Sequence, residues 1–123
     1  MTDLARAVRE CLEIEGALGA ALVDVHSGMA LETAGEPATV NLDVAAAGNS
    51  AVVQAKLRTM TDLGLDDEIE DILITLGRQY HMIRPISSRE GRGLFLYLVL
   101  DKTEADLDAA RSRLAVIERE VQL

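Results

Sequence analysis

The chain has 123 residues, 49% of them hydrophobic, and 12 basic residues against 21 acidic ones leave a formal net charge of −9. That length fits one ordinary domain over residues 1–123, able to bury roughly two-thirds of its unfolded surface. The acidity argues against nucleic-acid binding, which needs Lys and Arg on the phosphates, and against direct binding to anionic lipid. A single cysteine, Cys11, cannot close an internal disulfide. No apolar run reaches membrane-spanning length, and the start lacks a signal-peptide core, so a cytoplasmic protein is expected.

In chain order, Thr2 to about Ile14 reads as a helix. Leu4, Val8, Cys11 and Leu12 fall on one stripe, and Thr2 is the expected N-cap. Gly16 ends it. Ala17–Val25 is a near-continuous apolar run rich in small residues, and is read as an inner strand. His26-Ser27-Gly28 makes a turn, and Met29–Ala34 alternates and carries Glu32, as suits an edge strand. Gly35-Glu36-Pro37 is a loop.

Asn41 is an N-cap candidate, and a helix is predicted from Leu42 to about Met60. Leu42, Ala46, Asn49, Val53, Leu57 and Met60 make one stripe. Ala45, Gly48, Val52 and Ala55 make an adjacent one. An apolar arc that wide, with a small-residue centre, fits a helix touching two surfaces, although a helix lying flat on one sheet also explains it.

The acidic run Asp66–Asp71 matches no calcium loop and reads as edge solvation. Ile72–Leu76 is predicted as a strand, drawn out to Ile69–Leu76 where its open edge is considered, Gly77-Arg78 as a turn, and Gln79–Ile86 as its partner. In that partner Tyr80, Met82, Arg84 and Ile86 share one face, and His81 and Ile83 the other. Pro85 marks an edge or a bulge. Ser87–Gly93 is a polar turn. Arg78, Arg84, Arg89 and Arg92 are read as solvated residues of the flanking turns.

Leu94–Leu100 is the longest unbroken run of bulky apolar side chains. It reads as a strand buried on both faces, with Phe95, Tyr97 and Val99 on one side and Leu94, Leu96, Leu98 and Leu100 on the other. The last helix is predicted to begin at Asp101–Thr103, with Thr103 and Asp106 at capping-box spacing. Leu107, Ala110, Leu114, Ile117 and Val121 face inward, and Asp108, Arg111, Arg113 and Glu118 outward. The order is thus α-β-β-α-β-β-β-α, an α/β (α+β) sandwich around one five-stranded antiparallel sheet.

No catalytic constellation stands out. His26 and His81 have no metal-ligand partner at helical spacing, and His81 is read as structural. Cys11 is read as buried and inert. No serine lies in a nucleophile elbow, and no phosphate-cradling glycine loop opens a helix. The expectation is a protein that is not an enzyme, with no catalytic residues, metal ligands or cofactors.

The elements resemble the roadblock family of dynein light chains and bacterial GTPase regulators. The first hairpin, Gly16-Ala-Leu-Gly-Ala-Ala-Leu-Val-Asp-Val-His-Ser-Gly28, carries the resemblance. So does the second, Glu70-Asp-Ile-Leu-Ile-Thr-Leu-Gly-Arg-Gln-Tyr-His-Met-Ile-Arg-Pro-Ile86, and so does Leu94–Asp101 with the helix after it. The resemblance implies sheet order 2-1-5-4-3 in a roadblock/profilin-like fold. It further implies a non-enzymatic homodimer formed through the third strand and central helix. The partners it implies are a small Ras-like GTPase and, for some members, a sensor kinase. The implied interface residues are Ala45, Gly48, Asn49 and Val52 on the helix and Glu68, Ile72, Leu73, Ile74, Thr75 and Arg78 around the strand.

Self-pairing about Asp71 would set that carboxylate against its own copy. A dyad near Leu73 is therefore expected, with Asp71 opposite Thr75 and Glu68 opposite Arg78. The rival reading is a profilin- or PAS-like sensory module holding a small ligand, which needs a cavity beside the sheet. The small number of aromatics, Tyr80, Phe95 and Tyr97, weighs against one.

Overall fold

The computed structural model describes residues 3–36, 40–88 and 92–121. Thr2, Pro37, Arg89 and the adjacent Glu90-Gly91 of the expected polar turn lie outside them. The elements are α1 (Leu4–Leu12), β1 (Ala17–Asp24), β2 (Met29–Gly35), α2 (Leu42–Asp62), β3 (Ile72–Thr75), β4 (Gln79–Pro85), β5 (Leu94–Asp101) and α3 (Leu107–Glu120). The strands form one antiparallel sheet in the order β2-β1-β5-β4-β3.

β5 is the middle strand, and its alternation sorts the core into two layers. Leu96, Leu98 and Leu100 join Ala7, Val8 and Cys11 of α1 and Ala110, Leu114 and Ile117 of α3. Phe95, Tyr97 and Val99 join Ala46 and Val53 of α2 on the other face. Each such large side chain contributes about 2 kcal/mol by leaving water. This explains why the strand reads as apolar without interruption: both of its faces lie under helices.

The helix ends follow local chemistry. Asp3 caps α1, its carboxylate accepting from Arg6 N at 2.8 Å. Asn41 caps α2 as expected, its Oδ1 accepting from Val44 N at 3.1 Å. The last helix begins later than predicted. Asp101 spends its side chain on Thr103, accepting from that residue's N and Oγ1, and the cap falls to Asp106, which accepts from Ala109 N. Gly16 has φ +86°, and a Cβ there would lie 2.9 Å from Ala105, so glycine lets the start of β1 pass under the turn leading to α3.

Both sheet edges show why they stop. Between β1 and β2 the register shifts from Leu22↔Glu32 to Val23↔Ala30, leaving Leu31 as the extra residue of a bulge. At the other edge, β3 is shorter than the drawn-out Ile69–Leu76 and pairs from Ile72↔Ile83 to Thr75↔Tyr80. Ile86 N bonds Leu94 O of β5. The nitrogen of Pro85 therefore faces the β3 side, and without a hydrogen it cannot extend that ladder. Residues 69–71 are left without a neighbouring strand.

Glu118 corrects an expectation. It is only 2% exposed. It lies four residues after Leu114 and three before Val121, so the helix arc carries it inward despite its charge. Its Oε1 accepts from Arg84 Nε at 3.2 Å, and its Oε2 from Ser87 N and Oγ at 3.0 and 2.7 Å. Arg84 is accordingly no solvated turn residue. It also approaches Asp71, which Arg111 grips through two nitrogens.

Candidate interaction face

α2 packs on β1 and β2. The sheet beyond, on the same face, carries Ile72 and Ile74 of β3 with His81 of β4, all half-buried. Ala46, Ser50, Val53 and Met60 form the buried side of α2. Ser50 satisfies its hydroxyl by donating to Ala46 O at 2.8 Å, whereas Leu57, expected in this stripe, is exposed.

The adjacent stripe lies open. Val52 is 40% exposed, and nothing lies within 4 Å of a Cβ built on Gly48. Ala55 is also exposed, and Val44, outside the expected stripe, is 68% exposed. An exposed apolar helix side thus stands next to an apolar strip of sheet that α2 leaves uncovered. The outer edge of β3 has no strand beside it among the described residues, so its backbone N–H and C=O groups point outward.

Ten residues were expected at an interface, and they fall into three groups. Ala45, Gly48, Asn49 and Val52 share α2, with Ala45 and Asn49 half-buried. Ile72 and Ile74 lie on the α2 face of the sheet, and Leu73 packs into the opposite layer. Glu68, Thr75 and Arg78 are exposed, before, at the end of and after β3.

Sequence reasoning missed a polar chain across this face. Tyr97 OH lies 2.9 Å from His81 Nδ1, and His81 Nε2 lies 2.8 Å from Gln79 Oε1. The two rings meet edge-on, 5.6 Å between centroids. Burial holds the imidazole below its ordinary pKa. Burial pushes the Tyr97 phenol up, against a hydrogen bond from Asn49. A buried Tyr in a strand signals that its hydroxyl needs a partner, but nothing local says which.

The chemistry elsewhere is sparse. Burial, with Glu10 adding and Arg113 opposing, pushes the Cys11 thiol up to about 12. Among the described residues no group of three or more His, Cys, Asp or Glu side chains is arranged to hold a metal ion. No helix among them is long and apolar enough to cross a membrane. A cavity of about 320 Å³ is lined by apolar Val25, Val53, Leu57, Ile69, Ile86 and Leu94 together with charged or polar His26, Asp67, Glu68 and Arg92.

No protein-family profile matches the sequence, and no curated protein is similar enough in sequence to count as a relative. Solved structures do match. A Roadblock/LC7 domain from Streptomyces avermitilis superimposes with a TM-score of 0.78 at 15% identity, over 96% of this chain and 93% of its own. Myxococcus xanthus MglB gives 0.73 at 17%, over 94% and 85%. An MglB in a tetrameric arrangement gives 0.64 at 22%, over 93% and 86%. With the same sheet order and helix layers that the sequence resemblance implied, the chain has the Roadblock/LC7 fold.

Proposed function

We propose that this chain, as a single roadblock-like domain, is a non-enzymatic homodimeric regulator or scaffold of a small Ras-like GTPase in a bacterial, cytoplasmic signalling system. The observation that carries the reading is the uncovered half of the α2 face. Exposed Val44, Gly48 and Val52 stand beside half-buried Ile72 and Ile74, next to an unpaired strand edge. A second copy offers a self-complementary occupant: its α2 against Ile72 and Ile74, and its β3 along the open edge. The resemblance to the roadblock family, which includes bacterial GTPase regulators, supports the choice of partner, and the fold likeness to MglB accords with it. A sensor kinase fits as a further member of the assembly.

For the pairing register we propose the dyad near Leu73. It sets Asp71 opposite Thr75 and Glu68 opposite Arg78, and it leaves the Asp71 carboxylate with Arg111 and Arg84. A crystal structure with the dyad at Asp71, or with β3 unpaired, refutes that register.

The functional test is co-elution with the small GTPase encoded nearest to this protein, loaded in turn with GDP and a GTP analogue. Binding in at least one nucleotide state is expected. Absence of binding in both defeats the reading.

The cavity beside Val25 and Ile86 favours a second reading, a sensory module for a small apolar ligand, since its volume is at the low end of ligand pockets. Mass spectrometry of natively purified protein decides it. A stoichiometric co-purified molecule supports it, and none counts against it.

A further inference from the structure

The polar chain on the α2 face runs in one direction. Gln79 Oε1 can only accept, so His81 Nε2 carries the hydrogen of that 2.8 Å contact. In the neutral ring Nδ1 is then an acceptor, and the Tyr97 hydroxyl donates to it at 2.9 Å. Asn49 of α2 acts on the Tyr97 phenol only by opposing its rise in pKa. Donation thus passes from β5 to β4, and both contacts hold only while the imidazole is neutral.

A second proton disrupts this order. Nδ1 becomes a donor, and the Tyr97 hydroxyl can no longer donate to it. Its own hydrogen must turn elsewhere, at a residue 1% exposed.

We infer that protonation of His81 regulates the self-association proposed above, releasing the protomers in acid. The inference rests on that reading. His81 pairs with Ile74 of β3 and Val99 of β5, and its ring shares the sheet face on which a partner's α2 would lie. Covering that face takes the ring out of water. Its side-chain partners are Tyr97 from β5 and Gln79 from its own strand, and its register neighbours are Ile74 of β3 and Val99 of β5. None is a carboxylate, and burial is the sole cause of its lowered pKa. An imidazolium there would be desolvated without a counter-charge.

The sign follows from linkage. The free protomer binds the proton more readily than the covered one, so association strengthens as pH rises through the imidazole range and weakens as it falls. With one ring per protomer the limit is two protons per dimer, roughly a hundredfold in Kd per pH unit.

Sedimentation equilibrium of the full chain between about pH 5.5 and 7.5 tests this, beside imidazole proton NMR. The wild type is expected to dissociate at least tenfold more readily at the acid end. His81→Gln, which keeps an amide in place of the ring, is expected to flatten that dependence. Tyr97→Phe removes the donor to Nδ1 and is expected to move the midpoint upward. Independently of any variant, the His81 imidazole is expected to titrate at lower pH in concentrated, associated protein than in dilute protein. A wild type that associates equally at both ends, an undiminished dependence in His81→Gln, or an imidazole titration unchanged by concentration overturns the inference alone. Failure to associate at any pH overturns the homodimer reading and the inference with it.

Discussion

Arg84 Nε donates to Glu118 Oε1 at 3.2 Å across 34 residues of chain, with the Glu118 side chain 2% and the Arg84 side chain 17% exposed. This pair fastens α3 to the end of β4, and Ser87 completes it by donating to the second carboxylate oxygen. Removing the carboxylate leaves a partly buried guanidinium with only the longer 3.8 Å contact to Asp71. Glu118→Ala is therefore expected to cost about 3 kcal/mol. Urea unfolding measures it, and a loss below about 1 kcal/mol would show that the pair is not holding the helix.

Gly48 has opposite consequences for the protomer and for its assembly. Nothing surrounds its Cβ position in the protomer, so Gly48→Ala is expected to stabilise α2 by roughly 0.8 kcal/mol. In a helix-to-helix contact the added methyl holds the backbones apart, so self-association weakens. Thermal unfolding of the dilute protein and sedimentation of the concentrated protein separate the two effects. Stabilisation with unchanged association would remove Gly48 from the interface.

Cys11 is the group whose titration bears on alkaline stability. Its native pKa is raised to about 12 by burial, so the fold favours the neutral thiol. Stability from this group is fully present below the unfolded thiol value. It declines by about 1.4 kcal/mol per pH unit above that value, until the native pKa is passed. Cys11→Ala removes that slope, at the cost of a small cavity. A thiol-specific disulfide reagent at mildly alkaline pH is expected to react only as fast as the protein opens. Rapid stoichiometric labelling of the native protein would contradict the burial.

The register near Leu73 is open to cross-linking. In a Cys11→Ser background, Leu73→Cys is expected to oxidise to a covalent dimer, because that dyad brings the two copies of residue 73 together, within the reach of a disulfide. Asp71→Cys in the same background is expected to stay monomeric under denaturing electrophoresis. The reverse pattern would move the dyad to Asp71.

The parts that were legible in the sequence are those decided locally. The Leu94–Leu100 run, the Asn41 cap and the inward stripe of α3 each follow from periodicity or a neighbouring backbone amide. The start of β3 at Ile72 was legible, but the reason its ladder stops there was not. Ile69–Asp71 has a strand-like pattern, but its pairing depends on the nitrogen of Pro85, more than a dozen residues on. Glu118 was misplaced because its charge was weighed above its position on the arc. Of the candidate face, the wide apolar arc of α2 was legible as an excess of small and apolar residues. The bond between His81 and Tyr97 was not, since it joins two strands through side chains 16 residues apart.

The bulge at Leu31 limits how far such a sheet can grow. Of the two sheet edges, one is kinked where Leu22↔Glu32 gives way to Val23↔Ala30, and only β3 offers a straight ladder. A unit with one serviceable edge has a valence of one. Pairing of the proposed kind would consume that edge and leave the joined sheet ending in two kinked flanks, which disfavours further edge-to-edge growth.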